Sequence, residues 1–321
     1  MSGTVPLNFA ITSSPRIESS KLTANDSNVS RKVTNRTRAG IAYQRGFRGF
    51  DGLCISFRLH LAVRRMHRVG CVTMTFMSQA SPALTRTPAE VVRLNPVSQA
   101  ANGICYASTG EVTITESDLE RMIAAVPRAA AATLERKAYY FVPLTVSQGD
   151  DTVIADRYDV VLSDRAVCHR NLNLGDAQCV FISTRLMDDK FSVAFEFYIN
   201  VGHAIVEKIG VSQAFADLCW KQVDASARGE TSLDAWDARK GATTTGPDAE
   251  KYKNEYFAAA FSDAISIYLL SLYLDVDYYD LRERDYPLLA PTAMAERLRK
   301  IAELFPPNPG FDFAIYYKRR S

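Results

Sequence analysis

The stretch FAAAFSDAISIYLLSLYL, residues 257–274, constrains this chain more than any other. It is the longest apolar run, and Ser262, Asp263 and Ser266 interrupt it. A membrane-spanning helix takes about 20 consecutive apolar residues. An apolar run of helical length with polar residues inside it reads instead as a helix buried in a protein interior. The chain can surround it: 321 residues, 47% hydrophobic and 23% charged, suit one large domain or two small ones.

The net charge of +2 argues for no nucleic-acid or membrane partner, but it is unevenly spread. Residues 1–73 hold twelve Lys/Arg against three Asp/Glu, and the remainder holds twenty-six against thirty-three. Residues 1–50 are rich in Ser, Thr, Asn and Arg, a composition that buries too little surface to order itself. Residues 51–73 are apolar and arginine-rich, which fits a basic arm for nucleic acid, an organelle-targeting segment, or a plain extension ahead of a start at Met74 or Met77. Charge in runs, without interleaved aromatics, favours the extension. The expected organisation is a basic, disordered extension over 1–73 and an α+β domain over 74–321. No apolar signal region follows the N-terminus. Six cysteines without a CxxC pair point to reduced thiols and a cytoplasmic setting.

Ser117 and Glu120 stand at capping-box spacing and place a helix start near Ser117, with Pro127 breaking that helix. KAYYFVPLTV (137–146) reads as a strand. RYDVVLSDRAVCHRNLNL and AQCVFISTRLM continue the β pattern, with a turn at Asn173–Asp176 between two strands. DDKFSVAFEFYINVGHAIVEKI (188–209) is helical, with Asp188 or Asp189 as N-cap. Residues 227–250 read as a long polar excursion. Helices follow over about 251–275 and, after a Pro-rich turn region, 292–304.

On helix 188–209, Glu196, Asn200, His203 and Glu207 share one stripe, because their offsets of four, three and four match the helical turn. VGHA resembles the end of the His-Glu-x-Gly-His-Ala run of zincin metallopeptidases of the anthrax lethal-factor type. EYFAAAF resembles the glutamate-led helix that supplies that family's third zinc ligand. The resemblance covers about residues 137–305. It implies a zincin-like fold: a small mixed or antiparallel sheet, then a site helix, a second glutamate-bearing helix and a C-terminal helix.

Carried over residue by residue, His203 matches the second histidine ligand and Glu255 the glutamate ligand. Ile199 stands in the first histidine's place. Asn200 stands at the general-base position, where an amide hydrogen-bonds a water but cannot take its proton. A catalytic zinc keeps three protein ligands and one open position. The resemblance therefore implies a pseudo-metallopeptidase: non-catalytic, without a cofactor, and with a polar cleft at His203 and Glu255 for a peptide or protein ligand. In that reading His203 is satisfied by Asn200 or Glu207 on its own helix, or by Asp263 from the facing one. Two alternatives stand beside it. One is an active metal-dependent hydrolase whose ligands come from Glu196, His203, Glu207 and Glu255 around zinc or another divalent metal. The other is an interaction module unrelated to zincins, with the basic arm as its handle.

Cys168, His169 and Cys179 also invite a metal reading. On a strand Cys168 and His169 point to opposite faces, so both cannot line one site, and Cys168 faces Cys179 across the hairpin as a buried thiol.

Overall fold

Of the chain, the computed structural model describes residues 5–11, 82–148, 151–187, 189–281 and 286–319. Strand β1 (Val5–Ile11) lies within the stretch expected to be unstructured. The rest of residues 1–73, Met74, Met77 and Asp188 lie outside the described residues. After β2 (Thr85–Arg86), helix α1 (Pro88–Leu94) starts at a capping box: the Glu90 N–H donates to Thr87 Oγ1, and the Thr87 N–H donates to the Glu90 carboxylate at 2.8 Å. Strands β3 (Ser98–Gln99) and β4 (Cys105–Ser108) follow. Helix α2 (Glu116–Ala124) begins before Ser117 because Thr115 takes the cap, accepting from the Asp118 N–H at 3.2 Å. Pro127 ends this helix and opens α3 (Arg128–Ala131).

KAYYFVPLTV is two strands, not one. Pro143 has no N–H for a ladder, and it separates β5 (Lys137–Val142) from β6 (Leu144–Gln148), which join different sheets. Strand β7 (Asp151–Ala155) follows. The expected strand after it opens as a short helix, α4 (Val160–Ser163), because Asp159 accepts from the Val161 N–H at 2.8 Å and caps it. Strands β8 (Ala166–Val167), β9 (His169–Leu174) and β10 (Ala177–Ser183) come next, with Gly175 at φ 64° turning the β9–β10 hairpin. Helix α5 (Lys190–Ile209) is capped by Asp189, which accepts from the Ser192 N–H at 2.7 Å.

Helix α6 (Gln213–Asp224) precedes the polar excursion, and the excursion itself contains α7 (Leu233–Ala242), capped by Ser232. Only the small Ala235 and Ala238 of α7 are buried, so its polar composition is that of an outer face, not of a loop. Helix α8 (Ala249–Tyr273), strand β11 (Val276–Asp277), a 3₁₀ turn over Tyr278–Leu281, helix α9 (Pro291–Leu304) and β12 (Phe313–Arg319) complete the order.

The architecture is mixed α+β. The central five-stranded sheet runs β3-β4-β5-β10-β9, with β4, β5 and β10 parallel and the two edges antiparallel to their neighbours. An antiparallel sheet, β2-β7-β6-β8, lies beside it, and β1 runs parallel to both β11 and β12. Alternation along the central strands divides the core. Tyr139, Phe141, Val180 and Ile182 face the helices, whereas Ala138, Tyr140, Cys179 and Phe181 pack with Val91 of α1 and Ile154 of β7. Helix α8 is long and apolar enough to cross a membrane, yet its apolar stretch is sheathed within the core. Each large side chain buried there contributes roughly 1.5–3 kcal/mol.

Candidate functional site

The polar stripe of α5 lies between the central sheet and α8, and each of its members has its own partner. Helices α5 and α8 run antiparallel: the Tyr198 carbonyl accepts from Ser266 Oγ at 3.1 Å, and one turn later in α5 Gly202 meets Ser262, one turn earlier in α8. A Cβ on Gly202 would stand 2.7 Å from the Ser262 carbonyl oxygen and 2.8 Å from Ser266 Oγ. The small residue beside the histidine therefore admits the backbone of the facing helix.

His203 Nδ1 and Ser262 Oγ share a hydrogen bond of 3.2 Å. Desolvation, then electrostatic repulsion from neighbouring His169, pushes the His203 imidazole from its ordinary 6.5 down to about 4, with Glu196 opposing the change. The side chain is thus neutral at physiological pH and engaged with α8. Its partner is Ser262, not Asn200, Glu207 or Asp263 as expected. The Asn200 amide donates to the Glu196 carbonyl of its own helix at 2.9 Å. Glu207 is largely exposed and pairs with Lys137 Nζ of β5 at 3.2 Å. Buried Asp263 accepts from Thr231 Oγ1 at 2.7 Å. Ile199 is buried in the core.

Glu196 contacts Nδ1 of His169, on edge strand β9. The register explains this: His169 pairs with Ile182, whose side chain faces the helices, so His169 faces them too. The sequence had set His169 aside with Cys168; the alternation that separates those two also points His169 at α5. Cys179 stands opposite Leu172, and Cys168 lies at the other end of the hairpin, where its carbonyl accepts from the Ser183 N–H. The two thiols do not face each other. Burial, then Glu196, pushes Cys168 up to about 12, so it is no nucleophile at neutral pH.

Glu255 lies elsewhere. It pairs loosely with Lys251 at 3.9 Å and lines a cavity between α7 and α8 with Asp234, Asp237 and Asp248. Ser262, which meets His203, is seven residues further along α8, roughly 10 Å at 1.5 Å per residue. His203 and Glu255 thus have separate surroundings. No group of three or more His, Cys, Asp or Glu side chains among the described residues is arranged to hold a metal ion. The residues matched to the zinc ligands do not fit that ion: the Nδ1 of one faces a serine, and the other stands two helical turns away.

One constellation left no local signal. Glu230 and Arg297 are both fully buried, with Arg297 amino groups at 2.9 and 3.3 Å from the two carboxylate oxygens. Arg239 adds a second guanidinium at 3.1 Å, and the Tyr256 hydroxyl donates to Glu230 at 2.9 Å. Arg297 also donates through Nε to Gln222 at 2.9 Å. The tyrosine of EYFAAAF is therefore part of a buried ion network that ties α6, α7, α8 and α9 to the loop before α7. Compared with known proteins, the chain matches no family model, no curated protein and no solved structure.

Proposed function

We propose that this protein is a non-catalytic, zincin-like domain in which the metal helix has become a helix–helix contact of the core. The observation that carries this reading is the use made of the three motif positions on α5: Ile199 is packed, Asn200 bonds its own backbone, and His203 is neutral and bonded to Ser262. None of the three is placed to activate a water. The element order supports it as well. A mixed sheet with an antiparallel edge leads into α5, α8 packs along α5, and α9 follows. Binding of a peptide or protein, the ligand class the resemblance implies, then has no shared cleft at His203 and Glu255 to use. The thiol chemistry fits a cytoplasmic setting, since the four described cysteines, Cys105, Cys168, Cys179 and Cys219, are all free.

The test is elemental analysis of purified protein after incubation with zinc or manganese, beside His203→Ala and Glu255→Gln. The expected outcome is metal well below one equivalent in all three, with His203→Ala changing thermal stability alone. One equivalent of tightly held metal, lost in the variants, would overturn the reading, and His169→Ala would then test the neighbouring histidine as a ligand.

A further inference from the structure

Helix α7 has a second face, turned away from the acidic cavity. There it borders a hollow of about 450 Å³, lined by its own Trp236, Arg239 and Lys240 together with Arg228, Ser226 and Pro287. Among the described residues no carboxylate lines it. The charge behind it is unbalanced as well: Arg239 and Arg297 are both paired with one carboxylate, Glu230. Arg239 cannot swing away, because its amino groups donate to the Gly229 carbonyl at 2.9 Å, the Ala227 carbonyl at 2.8 Å and Glu230 at 3.1 Å. Those three bonds leave two of the five guanidinium N–H groups for another acceptor. Arg228 is exposed and makes no ion pair among the described residues. Lys240 is already paired with Asp237 at 2.7 Å and lies 5.6 Å over the Trp236 ring.

From these observations we infer that the hollow binds a small organic anion, a phosphate monoester of a flat ring, with the phosphate on Arg228 and Arg239 and the ring on Trp236. A guanidinium fork matches phosphate oxygens, and an indole face takes a flat ring. The volume lies within the range of small-ligand sites. The inference is independent of the zincin-like reading, since no residue of α5 takes part.

The test is fluorescence titration at low salt with phenyl phosphate and with inorganic phosphate. The chain has two tryptophans, Trp220 and Trp236, and Trp236→Phe assigns the signal. The expected result is a saturable change from Trp236, with phenyl phosphate about tenfold tighter than inorganic phosphate. Arg228→Gln, at an exposed position, weakens binding about tenfold with the thermal midpoint unchanged, and Arg228→Glu abolishes it. No saturable response up to roughly 10 mM phenyl phosphate, or equal affinity in Arg228→Gln, would overturn the inference.

Discussion

Two ionisable side chains, half-buried His203 on α5 and buried Asp263 on α8, bend stability with pH in opposite directions. His203 is held at about 4 rather than 6.5, so the unfolded chain binds the extra proton first, and stability is lost as pH falls from 6.5 towards 4. Desolvation pushes Asp263 from 3.8 up to about 7, against its hydrogen bonds from Ser232 and Thr231 and with help from Asp234 and Glu230. Here the folded state binds the extra proton, so the contribution is complete at low pH and is lost as pH rises through about 7. Between about 4 and 6.5 the two slopes oppose each other. Urea denaturation across that window should therefore show stability rising with pH in Asp263→Asn and falling with pH in His203→Ala, each by about 1 kcal/mol per pH unit. The same slope in both variants would refute the assignment. Gly202→Ala is a purely steric case. Its methyl meets the backbone carbonyl of Ser262, and we expect a loss of about 1–3 kcal/mol by thermal denaturation, with α5 and α8 pushed apart.

At the scale of elements, the helices divide by whether their sequence marks their surroundings. Helices α5 and α8 announce themselves through long apolar patterns, and Asp189 caps α5 where capping chemistry places it. Helix α7 does not, because a helix that buries only two alanines has almost no apolar periodicity to read. The Pro143 break was visible as a residue, but its consequence, a change of sheet, depends on strands far away in sequence. The buried network of Glu230 makes the sharpest prediction at this scale. Glu230→Gln leaves Arg297 buried without its counter-charge, and about 3–5 kcal/mol should be lost in chemical denaturation. Lys137→Ala, which removes a pair whose carboxylate is largely exposed, should cost no more than about 1 kcal/mol as an ion pair.

For the molecule as a whole, α8 lies at the centre of the main core while the outer side of β9 has no strand beside it among the described residues. Hydrogen exchange should accordingly be slowest in the amides of Ala260–Leu272, opening only with global unfolding, and orders of magnitude faster on the free side of β9. Comparable protection in the two would mean that α8 is not the last element to open.

The sequence by itself determined the helical character of α5 and α8 and the burial of α8. These are local properties: periodicity, capping and the chemistry of single side chains. Only the tertiary structure decided that His203 meets Ser262 rather than Glu255, that His169 reaches Glu196, and that Tyr256 joins Glu230. The physical reason is register. How far α5 slides along α8 is set by the close approach at Gly202, and which strand face meets α5 is set by the pairing of β9 with β10. Both are long-range fits that no local pattern encodes.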